Sequence, residues 1–163
     1  MTTEILDPSK RSNQIMLDML DFYRQEDDDQ PLPINNATRS MIDYVMTHGR
    51  FFTPAKRPRD VRQRRPGTCY SSAARYVRHH DGLIYVEGFA FACDCCHGSL
   101  AFKPFRHAWA VTPKDEVIDL TWKHTDHCAY FGVPFVASDT AGLARAGRLG
   151  EGWLEWAMHR EAA

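Results

Sequence analysis

The sequence predicts an α+β fold on three observations. Two segments of helical period come first, a short amphipathic helix then begins at a cysteine, and strand-like runs separated by turn residues follow it. In the first segment Ile15, Leu17, Met19, Leu20, Phe22 and Tyr23 recur at spacings of three and four after Ser12, a good capping residue, which predicts a helix over 12–25. The acidic run from Glu26 to Asp29 and the prolines Pro31 and Pro33 end it. A second helix is predicted from Asn36 or Thr38 through Met41, Ile42, Val45 and Met46, closing at Gly49 with His48 in its last turn. Residues 51–67 hold Pro54, Pro58 and Pro66 among lysines and arginines and read as an extended connection.

After Gly67 the pattern changes. Thr68 is placed to cap a helix whose first turn holds Cys69 and whose apolar face is Ala73, Ala74, Tyr76 and Val77, ending near His80-Asp81-Gly82. Strand-like runs follow at 83–92, 108–112 and 116–120, with Pro113-Lys114-Asp115 as a tight turn between the last two. A further short strand is predicted over 130–135. Trp153, Leu154, Trp156 and Ala157 predict a closing helix over about 151–160, after a glycine-rich stretch at 142–152.

At 163 residues the chain fits one domain, 1–163, with an N-terminal helical part at 12–49 and a core at about 62–135. It is 44% hydrophobic and 25% charged, and no run approaches the roughly 18 apolar residues of a membrane span. The first ten residues carry Glu4 and Asp7 and no apolar run, so no signal or transit peptide is read and the expected home is the cytoplasm. Five cysteines is an odd number, and three crowd into Cys93-Asp94-Cys95-Cys96, so reduced thiols are expected.

Cys69 carries the chemical reading. Unpaired N–H groups and aligned peptide dipoles in the first turn of a helix favour a thiolate. A histidine on an adjacent strand, oriented by a third residue, then serves as the base, and His107 and Asp119 are spaced to meet across a hairpin. Together, Gly67-Thr68-Cys69-Tyr70, His107-Ala108-Trp109-Ala110-Val111 and Val117-Ile118-Asp119-Leu120-Thr121-Trp122 resemble the core of transglutaminase-like and papain-like cysteine enzymes. With Tyr85-Val86-Glu87-Gly88 and Tyr130-Phe131-Gly132-Val133-Pro134, the set is also similar to small uncharacterised proteins common in bacteriophage genomes. The resemblance implies a papain-like α+β fold, with a cysteine-bearing helix packed on an antiparallel sheet, in a bacterial or phage-infected cell. It implies a hydrolase or acyltransferase, a protease or amidase among them, that acts on a peptide or other amide through an acyl-thioester without a cofactor.

The Cys69 N–H is one expected oxyanion donor. Gln63 stands at the spacing from Cys69 where papain-like proteases place their oxyanion glutamine. The intervening Arg64-Arg65-Pro66-Gly67-Thr68 departs from the protease pattern, so a solvated loop residue is the alternative at Gln63. Tyr70, Trp109 and Trp122 are read as core or cleft-wall aromatics, and Thr121 as a local hydrogen-bonding residue.

Singly, each of these residues has a plainer reading: cysteine often fills cores, and histidine or aspartate often flanks a strand. Cys93, Cys96, His97, His127 and Cys128 offer zinc a ligand set, but the spacing lacks two separated pairs, and a loop lining the cleft is the alternative. The basic run 56–65 is read as a solvated loop before a nucleic-acid surface, because the net charge is −1 and no recognition motif accompanies it. Gly98 and the C-terminal glycines form no phosphate-binding pattern, so no nucleotide cofactor is expected. From other classes, the competing readings are a binding or inhibitor protein that keeps the fold, and a zinc-stabilised interaction domain.

Overall fold

The computed structural model describes residues 8–25, 36–92, 103–135, 144 and 152–161. Helix α1 (Pro8–Gln25) begins four residues before the expected Ser12. It buries Met16 and Leu20, with Leu17, Met19 and Tyr23 packed at the margin. Helix α2 (Asn36–His48) buries Met41, Ile42 and Val45 in the same cluster and ends where the Gly49 N–H donates to the Val45 carbonyl at 2.8 Å. The chain then enters β1 (Arg50–Phe52), which corrects the reading of 51–67 as an extended connection throughout. Three residues are too few to show a period, and this strand exists because β5 supplies its partners.

Helix α3 (Cys69–Arg78) follows, then β2 (Ile84–Ala92), β3 (Phe105–Val111), β4 (Val117–Ile118), a 3-10 turn (Thr125–His127), β5 (Cys128–Pro134) and α4 (Trp153–Glu161). The strands form one antiparallel sheet in the order β1-β5-β2-β3-β4. The sheet curls until its edges meet. Thr53 bridges Glu116, its N–H donates to the Asp115 carbonyl, and its own carbonyl accepts from the Val117 N–H, both at 2.9 Å. Across the same seam Arg50 forks onto the Asp115 carboxylate at 2.5 and 2.8 Å.

Strand alternation divides the core into two faces. Tyr85, Phe89, Phe91, Ala108, Ala129, Phe131 and Val133 face the helices. Phe52, Val86, Ala90, Ala92, Trp109, Val111, Val117, Cys128 and Tyr130 fill the concave inner face. Central strand β2 is buried on both faces, which is why it reads as a continuous apolar run. Small residues on α3, Ala73 and Ala74, let that helix lie close to the sheet, while Val77 packs toward Ala110, Ile118 and Leu120.

Two glycines make the curl possible. Gly88 pairs with His107 on one side and Gly132 on the other, and a Cβ there would overlap the Phe131 carbonyl oxygen and Gly132 Cα. At Gly132 a Cβ would lie 2.8 Å from Cη2 of Trp109, so its absence gives the indole its seat. Backbone atoms cannot swing aside as a side chain can. Gly88→Ala should therefore cost about 3 kcal/mol or more, measured by denaturant titration. Gly82→Ala, at φ 79° with open space around it, should cost only about 1 kcal/mol.

Candidate active site

The site forms where the N-terminus of α3 meets β3 and the segment after β4. Cys69 is the first residue of α3 and is half-buried. Thr68 occupies the N-cap position without making the expected side-chain cap bond; its hydroxyl donates to the Arg65 carbonyl at 2.7 Å instead. The first intrahelical bond runs from the Ser72 N–H to the Thr68 carbonyl, so the N–H groups of Cys69, Tyr70 and Ser71 precede the ladder.

His107 is the third residue of β3, which begins at Phe105 rather than at 108, and is 3% exposed. The register that pairs Ala110 with Ile118 and Val111 with Val117 puts Asp119 one residue past β4, on the inner face with His107 and Trp109. Its Oδ2 meets His107 Nε2 at 2.8 Å. The other ring nitrogen, Nδ1, is then the one left for Cys69, which stands close enough to help raise the imidazole. Trp109 and Trp122 flank the ring, at centroid distances of 6.2 and 4.7 Å. Trp109 is fully buried and backs the histidine, whereas Trp122 is only partly buried.

Asp119 is 0% exposed and satisfied by five donors. Oδ2 also accepts from the Tyr130 hydroxyl at 2.9 Å; Oδ1 accepts from the Thr121 N–H, the Thr121 hydroxyl and the Trp122 N–H at 2.8, 3.2 and 3.1 Å. Burial pushes this carboxyl upward, but the His107 charge and hydrogen bond, helped by the two backbone N–H groups, outweigh it and hold it at about 2. For His107 burial lowers the value, yet the Asp119 charge and hydrogen bond, with Cys69, raise it to about 10.

The basic connection has a structural task here. Arg57 Nη1 donates to the Trp122 carbonyl at 2.7 Å and to that of Asp119 at 3.4 Å; Gln63 Nε2 donates to the Thr121 carbonyl at 3.1 Å; the Arg64 N–H donates to the Leu120 carbonyl at 2.6 Å. Four successive carbonyls of 119–122 are thus held by one strap. The Gln63 amide nitrogen, expected at the oxyanion position, is engaged in that strap, and its Oε1 accepts from Arg57 at 3.3 Å.

Behind Cys69 lies a second buried carboxylate. Glu87 on β2 is 1% exposed, accepts the Tyr85 hydroxyl at 2.5 Å, and receives the Trp153 and Leu154 N–H groups at the start of α4, the latter at 2.9 Å. Full burial raises it to about 7 despite those bonds and the nearby Arg106 charge. Arg106 reaches Glu155 at 2.6 Å, and burial against this cluster also raises the Tyr70 hydroxyl. A single charged residue inside the apolar run 83–92 was the available signal for Glu87. Nothing local marked Tyr130, which reaches the acid from another strand.

For the zinc alternative, Cys93, Cys96 and His97 lie outside the described residues. Among the described residues no group of three His, Cys, Asp or Glu side chains is placed to hold a metal. Cys128 points its sulfur at the His124 carbonyl, 3.3 Å away, while His127 is exposed beside Asp126. No described helix is long and apolar enough to cross a membrane. Searches against protein-family models, curated proteins and solved structures find no match to this chain.

The buried groups set the pH dependence of stability. His107 is raised from 6.5 to about 10, so its contribution is full below 6.5 and lost as pH rises through 10; Asp119 is lowered from 3.8 to about 2, so its contribution is full above 3.8 and lost as pH falls through 2. Glu87, raised from 4.5 to about 7, contributes fully below 4.5 and loses that contribution as pH rises through 7. Denaturation midpoints measured against pH should fall along both alkaline limbs, with Glu87→Gln flattening the limb from 4.5 to 7 and His107→Gln the one from 6.5 to 10. Tyr130→Phe should cost about 2 kcal/mol by losing a hydrogen bond to a buried carboxylate.

Proposed function

We propose that the protein is a cysteine-dependent hydrolase or acyltransferase that acts on an amide-type bond, on a papain-like (transglutaminase-like) arrangement of helix and sheet. The observation that carries this reading is the relay itself: a half-buried thiol on the first turn of a helix, beside an imidazole whose far nitrogen sits 2.8 Å from a fully buried carboxylate. A purely structural His–Asp pair has no need of a thiol at its other end.

In this reading the Cys69 thiolate attacks the carbonyl carbon, and the oxyanion forms beside the Cys69 N–H, one of the groups that precede the α3 ladder. His107 already holds a proton at neutral pH, because Asp119 favours the charged ring. Its Nδ1–H passes to the leaving amine as the C–N bond breaks, which leaves an acyl-thioester and a neutral imidazole. Water or an amine then attacks the thioester, giving up its proton to Nδ1 while the thiolate departs, and the starting state is restored. Asp119 stays ionised throughout and holds the ring edge-on to the sulfur. With the ring charged at the outset, its first role in this reading is as the acid rather than as the base.

Alkylation tests the relay without knowledge of the substrate. Site-resolved mass spectrometry should show Cys69 reacting with iodoacetamide at neutral pH about 100-fold faster than in His107→Ala, with Asp119→Asn intermediate. Equal rates in all three proteins would make the His107–Asp119 pair purely structural and favour the binding-protein reading. In any acyl-transfer assay Cys69→Ala should abolish turnover with the fold intact by circular dichroism.

A further inference from the structure

A row of aromatic rings leads outward from the histidine. Phe105, His107 and Trp109 share one face of β3, pairing with Ala90, Gly88 and Val86 along a strand whose side chains alternate. Phe105 therefore stands about 7 Å along the strand from His107. Its ring meets that of Trp122 edge-on, with centroids 6.3 Å apart, and Trp122 in turn lies against the His107 ring at 4.7 Å. Exposure rises along the row. His107 is 3% exposed, Trp122 is partly buried, and Phe105 is 37% exposed with Lys103 Nζ 5.5 Å from its ring centroid.

The thiol lies at the same end of β3. Toward the end of α3, Val77 packs against Ala110 and Ile118; at its start, Tyr70 faces Arg106, because a Cβ on Gly152 would lie 3.6 Å from both Tyr70 Cε1 and Arg106 Nη2. Arg106 is the residue between Phe105 and His107, so α3 runs along β3 with Cys69 at the Phe105 end. The wall is held from behind. The Trp122 N–H donates to Asp119 Oδ1 at 3.1 Å, and its carbonyl accepts from Arg57 Nη1 at 2.7 Å. An apolar group placed against Phe105 and Trp122 thus meets a surface that binding need not order.

We infer that Phe105, with the edge of Trp122, seats an aromatic or large aliphatic side chain on the amine side of the scissile bond, an inference that rests on the acyl-transfer reading and adds a substrate class to it. The leaving amine takes its proton from His107, so the chain on that side of the bond passes the neighbours of the histidine. Two rings at 83° make a corner, a geometry in which a third apolar group contacts both. Lys103 is the competing recognition group, since an ammonium favours a carboxylate, but it is exposed and its charge is screened by solvent.

The test uses the chloroacetyl derivatives of phenylalanine amide, glutamine amide and glutamate α-amide, which share one reactive group and differ in the side chain on its amine side. Cys69 labelling rates are read by mass spectrometry and divided by the rates with free cysteine. The phenylalanine reagent should label about tenfold faster than the glutamine reagent. That ratio should fall toward unity in Phe105→Ala and Phe105→Gln and survive in Phe105→Leu, which keeps an apolar group in place. Each ratio is taken within one protein, so a change in thiol reactivity common to both reagents cancels. Equal labelling by the phenylalanine and glutamine reagents overturns the inference, and so does a preference that persists in Phe105→Ala. Fastest labelling by the glutamate reagent also overturns it and assigns the position to Lys103. Failure of the relay shows separately, as an iodoacetamide rate indifferent to His107, and leaves the phenylalanine-to-glutamine ratio readable.

Discussion

The buried pair of His107 and Asp119 is the constraint around which the rest of the molecule is arranged. An ion removed from water costs several kcal/mol even after relaxation, and removing one member of such a pair costs about 3–5 kcal/mol because the other is stranded. Asp119 is tolerable at 0% exposure only because five donors reach it. Those donors come from β3, from β5 and from Thr121 and Trp122, two and three residues past Asp119, so the carboxylate is satisfied only when the strands have taken their final register. The same geometry that offsets the burial cost aims the histidine at Cys69, and stability and the proposed chemistry are coupled through one side chain.

Holding that register takes features with no chemistry of their own. Gly88 and Gly132 let β2 and β5 pass close enough for Trp109 to lie over the sheet behind His107. The closing seam at Thr53, Asp115 and Val117 keeps β4, only two residues long, from peeling away. The Arg57 to Arg64 strap then satisfies the carbonyls of 119–122, a turn-rich segment that would otherwise present unpaired acceptors near the site. Arginine suits this role because one guanidinium can serve two carbonyls at once.

Glu87 shows how much environment decides what a buried carboxylate does. It is as buried as Asp119 and also accepts several hydrogen bonds, yet it is raised to about 7 while Asp119 is held at about 2. The difference is the partner. Asp119 faces a charged imidazole, whereas Glu87 is met by neutral donors, the Tyr85 hydroxyl and the first N–H groups of α4, with the Arg106 charge as a weaker influence. One carboxylate orients a ring; the other docks a helix.

Local pattern alone determined the helices, the main strands and the order in which Cys69, His107 and Asp119 occur, because period, capping residues and turn chemistry act over a few residues. It also placed Thr121 as a hydrogen-bonding neighbour of the acid. Tertiary structure decided what depends on partners distant in the chain: β1 becomes a strand only beside β5, and Tyr130 reaches Asp119 from eleven residues away. Gln63, whose spacing from Cys69 reads as an oxyanion donor, also donates to a carbonyl 58 residues away. A hydrogen bond of that span leaves no periodic trace in the sequence, since its geometry is set by the fold as a whole and not by the residues beside it.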